Sequence, residues 1–410
     1  MAEMTVYDEL VARGLIAQVT DEELIKNLIN NGKATFYIGF DPTADSLHVG
    51  HFMALCFMKR LQMAGNKPIA LVGGGTGMIG DPSGKSDMRS LMNRETIDYN
   101  ARRFKKQISS FLDFSDGKGY IENNADWLTK LNFLDFVREI GIHFSVNRML
   151  QFDCYKNRME QGLTFFEFSY MLMQSYDYLY LYRKHGCKLE VGGSDQWSNI
   201  LGGYELVRKL EGDKVYAMTF KLLTTAAGIK MGKTMAGAIW LDPEKTTPYE
   251  MFQYLRNCDD RDVIKFMKLL TMLPLDKIAE YEKLEGAEIN KAKEVLAYEV
   301  VKDVHGEEAA KAALDASHSL FGGDKASEDI PATEFEAAKF DEPVGILNLM
   351  TELGLIKTNS EGRRLITQGG VSIDDEKVTD PKLEITKDNF KDGEIIIRKG
   401  KKVYHKVIIK

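Results

Sequence analysis

The stretch from Ala34 to Gly73 constrains the fold more than any other part of the chain. Ala34-Thr35-Phe36-Tyr37-Ile38 is a short apolar run closed by Gly39, Asp41 and Pro42, which is the pattern of a buried strand. From about Val49, the residues Met53, Cys56, Phe57 and Leu61 recur at helical spacing until Gly65-Asn66 stops them. Pro68 to Gly73 is a second apolar run. Parallel strands need a crossover between them, and a helix of this length supplies one. Strand, helix and strand in this order predict a βαβ unit and an α/β fold on a parallel sheet.

The turn inside this unit carries chemistry. Thr43 and the tetrad His48-Val49-Gly50-His51 lie where the strand hands over to the helix. A helix start offers unpaired N–H groups and the positive end of a dipole, so it suits a phosphate. Gly50 would let a ligand approach the backbone, and two imidazoles can donate to anionic oxygens. A surface histidine pair at a helix start is the plain alternative.

The second strand runs into Gly73-Gly74-Gly75-Thr76-Gly77-Met78-Ile79-Gly80-Asp81-Pro82. Gly75, Gly77 and Gly80 match a dinucleotide fingerprint, but Asp81-Pro82 breaks the chain where the phosphate-binding helix should continue. The glycines are read instead as room for close backbone approach to a ligand. Lys85 and Arg89 follow on a small polar loop able to hold a polyphosphate, or simply solvated.

Gly162 to Lys184 reads as one helix opened by a Thr164/Glu167 capping box. Tyr170, Gln174 and Asp177 share one face of it. Such groups on a buried helix need partners, either inside the protein or on a small polar ligand. Lys188 to Val191 is another strand, opening into Gly192-Gly193-Ser194-Asp195-Gln196-Trp197 at the end where open α/β sheets bind ligands. A last strand, Tyr216 to Leu223, precedes a lysine loop, Lys230-Met231-Gly232-Lys233-Thr234.

At 410 residues the chain has room for two or three domains. No apolar run approaches the roughly 20 residues of a membrane span, and the first residues lack the basic start and apolar core of a secretion signal. The 4 cysteines are scattered without metal-ligand spacing, which fits a reducing cytoplasm and no structural metal. Net charge is −7, yet residues 344–410 carry +3 against −10 for the rest. A mildly basic tail fits a local RNA-binding module, and it also fits chance. Residues 1–33 and the stretch beyond Pro248 read as helical. The acidic, Gly- and Pro-broken stretch 323–343 reads as a linker.

His-Val-Gly-His and Lys-Met-Gly-Lys-Thr, in this order, resemble the two signatures of class I aminoacyl-tRNA synthetases. From end to end the chain resembles bacterial tyrosyl-tRNA synthetases. The resemblance implies a Rossmann-like parallel-sheet catalytic domain (1–240), a helical tRNA-binding domain (241–322), the linker, and a small α+β S4-type RNA-binding domain (344–410). It implies L-tyrosine, ATP with Mg²⁺ and tRNA(Tyr) as partners, and a cytoplasmic homodimer, for which the apolar segment Leu131 to Ile142 is a candidate interface. By resemblance, Tyr37 and Asp177 take the substrate phenol, and Tyr170, Gln174 and Asp81 its ammonium, while Gln196 lies near its carboxylate. Gly39, Asp41, Thr43, His48, Gly50, His51, Gly193 and Asp195 surround ATP. Lys85, Arg89, Lys230, Lys233 and Thr234 close on the pyrophosphate. Arg363, Arg364, Lys399, Lys401 and Lys402 face RNA. The chain departs from the family pattern at Ile38, Glu190, Ser198, Gly232 and Thr234.

Overall fold

The computed structural model describes residues 4–83, 92–159, 162–231, 233–234, 237–322, 331–374, 376–400 and 403–410. The chain divides into two compact units, Met1–Thr246 with Asp259–Ala292, and Thr247–Cys258 with Lys293–Lys410.

The first unit is built on a six-stranded sheet. In chain order the strands are β1 (Ile16–Val19), β2 (Thr35–Phe40), β3 (Lys67–Val72), β4 (Tyr120–Asn123), β5 (Leu189–Gly193) and β6 (Tyr216–Phe220). Their spatial order is β1-β6-β5-β2-β3-β4, parallel throughout except that β1 runs antiparallel to β6. The predicted βαβ unit is β2, the helix Val49–Met63 and β3. β2 and β3 are buried on both faces, as apolar runs in a parallel sheet require. After β4 the chain crosses back to the other side of β2 and adds β5 and β6. The strand order therefore reverses between β2 and β5, and their C-terminal ends splay there.

Two strands had no clear signal in the sequence. β1 interrupts the stretch 1–33 read as helical, and β4 is four half-buried residues at the far edge. The helix after β1 is capped by the Asp21 carboxylate, which accepts from the Leu24 amide, and not by Thr20. Thr20 instead accepts from the Ala217 amide on β6. The predicted long helix 162–184 is two: Phe165–Phe168, with its Thr164/Glu167 capping box, and Tyr170–His185. The second ends at Gly186, which takes the left-handed conformation (φ 63°).

The helix Val49–Met63 is buried nearly all round, so it needs cover beyond the sheet. The helix Val263–Leu270 and the turn after it provide that cover. Cys56 Sγ meets the Leu270 carbonyl at 3.6 Å, and the Arg60 guanidinium donates to the Thr271 carbonyl. Buried Arg13 donates to the carbonyls of Lys268 (3.1 Å) and Leu273 (2.7 Å). These bonds tie 259–292 to the first unit, so the interval 241–322, expected as one helical domain, is shared between the two units.

In the second unit the helix Pro248–Arg256 bonds to the helix Glu307–Gly322 through Gln253 and Ser317 (3.1 Å). A five-stranded sheet follows, in which Ala332–Phe335 is an edge strand parallel to Val403–Ile409. The described part of the expected linker is therefore structured. After that strand, Phe340 is fully buried against Phe390, with ring centroids 4.8 Å apart, and joins the core of Ile346, Ile366, Ile395 and Val407. Burying an aromatic ring of this kind contributes about 1.5–3 kcal/mol, which holds 331–343 to the tail as part of one domain.

Candidate active site

A cavity of about 610 Å³ opens between the ends of β2 and β5 and the start of the helix Val49–Met63. Its wall brings together most of the residues picked from the sequence: Tyr37, Gly39, Asp41, Thr43, His48, Gly50, His51, Asp81, Tyr170, Gln174, Asp177, Gly193, Asp195, Gln196 and Lys230. Lys233 and Thr234 form a short hairpin with Gly237–Ala238, described here by its backbone pairing. Lys85, Arg89, Gly232, Lys401 and Lys402 lie outside the described residues.

One end of the cavity is a buried polar pocket. Tyr37 and Glu190 are register partners on β2 and β5, so both side chains leave the same sheet face. The helix Tyr170–His185 covers that face and contributes Gln174, Asp177 and Tyr178, whose ring meets Tyr37 edge-on at 5.4 Å. Asp177, 1% exposed, accepts from Trp127 Nε1 (2.7 Å) and Asn124 Nδ2 (2.9 Å). Burial pushes its carboxyl up to about 8, against the pull of these two donors. Glu190, 2% exposed, is also pushed up to about 8 by burial, with Asp177 adding to the rise. The Tyr37 phenol is held well above its ordinary range by burial and by Glu190. Its hydroxyl has no hydrogen-bond partner among the described residues. Asn124 and Trp127 were missed in the sequence because β4, which delivers them, was missed.

The next layer is a carboxylate network. Tyr170 donates to Asp41 (3.0 Å), whose other oxygen accepts from Thr76 (2.8 Å). Asp41 thus orients Tyr170. Asp81 accepts from Gln196 Nε2 (2.6 Å), Asn199 Nδ2 (3.3 Å) and the Ser83 amide (2.9 Å). Asn199, one turn into the helix after the Gly-Gly turn, ties Asp81 to Gln196 and had no signal of its own. The glycines after β3 serve the protein and not a ligand. A Cβ on Gly73 would meet Asp41 at 2.0 Å, and one on Gly74 would meet Asn123 at 2.4 Å.

At the histidine end the geometry differs from the expectation of open helix amides. The Val49 amide donates to the Ile239 carbonyl (3.0 Å), that of Gly50 to His48 Nδ1 (3.1 Å) and that of His51 to the His48 carbonyl (2.8 Å). The His48 amide in turn donates to His51 Nδ1 (3.2 Å). The two rings stack with centroids 3.9 Å apart. A Cβ on Gly50 would meet the His48 ring at 2.9 Å, so this glycine makes room for the imidazole and not for a ligand. Because each Nδ1 accepts a backbone N–H, the ring proton of each neutral imidazole sits on Nε2. Burial and His48 hold His51 well below the ordinary histidine range, hence neutral. The anion-seeking groups here are imidazole N–H donors.

Across the mouth, Lys230 Nζ pairs with Asp195 at 3.4 Å. In the second unit Arg363 and Arg364 are exposed on the helix Asn359–Thr367. Lys399 is not free for RNA, since it binds Glu361 (3.0 Å) and the Leu355 carbonyl (2.5 Å).

Comparison with known proteins gives this geometry a family. Residues 29–322 match the model described as tRNA synthetases class I (W and Y). Residues 324–407, which take in nearly all of the expected linker, match the tyrosine–tRNA ligase SYY-like C-terminal domain. The chain is 57% identical over 401 residues to a tyrosine–tRNA ligase of Lachnoclostridium phytofermentans, covering 98% of each. It is 54% identical to one of Acetivibrio thermocellus, covering 98% of this chain and 99% of the relative. The structure of a C-terminally truncated mitochondrial tyrosyl-tRNA synthetase of Aspergillus nidulans superposes with a TM-score of 0.70 at 29% identity, over 78% of this chain and 95% of that one. With both family models matched and such identity along almost its whole length, the chain belongs to the tyrosine–tRNA ligases, a family of class I tRNA synthetases.

Proposed function

We propose that this cavity activates L-tyrosine with ATP and then passes the tyrosyl group to the 3′ end of tRNA(Tyr). The observation that carries the reading is the buried pair Tyr37 and Asp177, with Asp177 held by Asn124 and Trp127. A phenol completes hydrogen bonds there, and phenylalanine would leave buried polar groups unpaired. Tyr170, Gln174 and Asp81 take the ammonium, and Gln196 stands beside the carboxylate.

The substrate carboxylate is ionised near pH 7, so attack on phosphorus needs no general base. One carboxylate oxygen bonds to the α-phosphorus of ATP, and the bond to the bridging oxygen breaks. Pyrophosphate leaves with that electron pair. Catalysis is positioning and charge stabilisation. His48 and His51 donate from Nε2, Thr43 and Gly39 border the nucleotide, and Gly193 and Asp195 hold the ribose. Lys230, Lys233, Lys85 and Arg89 neutralise the departing pyrophosphate, and the Thr234 hydroxyl donates a hydrogen bond to it. In the second step a terminal ribose hydroxyl of the tRNA attacks the acyl carbon, loses its proton and releases AMP. Mg²⁺ enters with ATP. Among the described residues no group of three or more His, Cys, Asp or Glu could hold a metal, and no step here runs through it.

The test is ATP–pyrophosphate exchange with tyrosine, phenylalanine and tryptophan in turn. Exchange with tyrosine alone is expected. Exchange driven by tryptophan and not tyrosine refutes the reading.

We also propose a homodimer in the cytoplasm. No residue of the helix Phe133–Glu139 is buried, and Leu134 and Ile142 are 73% and 76% exposed, with Phe133 and Val137 beside them. Such an apolar patch marks an interface, and a second copy is the proposed occupant. Leu134→Glu should shift the protein from dimer to monomer in sedimentation, and an unchanged dimer would refute this assignment. The use of tRNA and four free thiols support a reducing cytoplasm.

A further inference from the structure

We infer that Glu190 is a positioning residue that decides which end of the Gln174 amide meets the substrate. The inference rests on the reading of Gln174 as a partner of the substrate ammonium. An amide has a donor end and an acceptor end, and an ammonium has donors only. Recognition therefore requires that Gln174 turn its oxygen to the ligand and its NH₂ away.

The structure supplies the reason it does so. Gln174 Nε2 donates to Glu190 Oε1 at 3.0 Å, and Gln174 Oε1 is buried with no hydrogen-bond partner among the described residues. Were the amide reversed, its oxygen would face the Glu190 oxygen and its NH₂ would face the ammonium. The second contact is repulsive, and the first is too when Glu190 is ionised. The ionised form of Glu190 enforces this choice, and the neutral form accommodates it. Ionised, it can only accept. Neutral, it can accept at Oε1 with its proton on Oε2, which has no hydrogen-bond partner among the described residues and lies against Gly203 of the helix Trp197–Glu211. A Cβ on Gly203 would come within 3.1 Å of that oxygen, so the glycine makes room for the carboxyl in this position.

Among the described residues no cation acts on Glu190, Tyr37 or Asp177. Beyond their action on one another, the groups acting on these three are Asp41, Cys187, Gln174, Asn124 and Trp127. A glutamine at position 190 offers both a donor and an acceptor, so it permits the required orientation without imposing it. An ionised glutamate imposes it.

The experiment uses the full chain and two probes, L-tyrosine and 3-(4-hydroxyphenyl)propionate, which lacks only the amino group. Equilibrium dialysis gives the Kd of each for wild type, Glu190→Met, Glu190→Ala and Glu190→Gln. The expected result is a tyrosine Kd raised about tenfold to a hundredfold in the Met and Ala variants, the range for losing one hydrogen bond to a charged group. The Kd of the desamino analogue should stay within about twofold, because that probe never used the amide oxygen. Glu190→Gln should recover most of the tyrosine affinity, and the KM for ATP should not move. Equal weakening of both probes means that Glu190 only supports the fold, which overturns the inference. Unchanged tyrosine affinity in the Met and Ala variants overturns it as well. Gln174→Ala separates the two levels: if it leaves tyrosine binding intact, the ammonium assignment itself is wrong.

Discussion

Replacing Glu190 by glutamine should change how stability depends on pH. Glu190 is fully buried, and its carboxyl sits at about 8 where an exposed glutamate sits at 4.5. Its folded value lies above its unfolded value, so the folded state binds the extra proton. The stability from this group is fully present below about pH 4.5. It is lost as pH rises toward 8, because only the unfolded chain can ionise freely in that window. Each pH unit costs about 1.4 kcal/mol, so wild type loses about 4 kcal/mol between pH 5 and pH 8 that the glutamine variant keeps. Against total stabilities of about 5–15 kcal/mol this is a large share. Asp177 titrates in the same range and is common to both proteins, so it cancels to first order. The assay is thermal melting of both proteins at pH 5, 6, 7 and 8. The chain folds as two units, so the transition to follow is the one that tyrosine shifts upward. The two midpoints should sit together at pH 5 and diverge as pH rises, with the variant higher. A gap independent of pH would refute the reasoning, since it would mean that Glu190 is already ionised at pH 5.

Three further outcomes test the site. Tyr37→Phe should raise the tyrosine Kd about fivefold to tenfold and tighten phenylalanine binding, both read by equilibrium dialysis, since the variant has one buried hydroxyl fewer to leave unpaired; equal weakening of both would remove Tyr37 from the specificity pocket. Lys233→Ala should slow adenylate formation, read in single turnovers, with the tyrosine Kd unchanged; a matching loss of tyrosine binding would count against a role on the departing pyrophosphate. Arg363→Glu with Arg364→Glu should spare pyrophosphate exchange and lower tRNA charging at least tenfold at moderate salt; unaltered charging would take this helix out of the RNA interface.

Local order was legible wherever one short segment decides its own state. The βαβ unit announced itself through two apolar runs around a helical period, and the Thr164/Glu167 cap through neighbours three residues apart. The pairing of Tyr37 with Asp177, and of the tetrad with the lysine loop, came only through the resemblance to bacterial tyrosyl-tRNA synthetases. Other features depend on partners far away in sequence. β1 and β4 are four residues each, without a continuous apolar run, and are strands only because β6 and β3 pair with them. Residues 259–292 belong to the first unit because Arg13, Cys56 and Arg60 reach carbonyls there from more than 200 positions away. The amides at the start of the histidine helix look open in sequence, but the Ile239 carbonyl and the two imidazoles take them. The sequence by itself determined which chemical groups the chain carries and which short stretches hold them. Only the tertiary structure decided which of those groups are already engaged, because a hydrogen bond or a buried charge is set by what folds back against it.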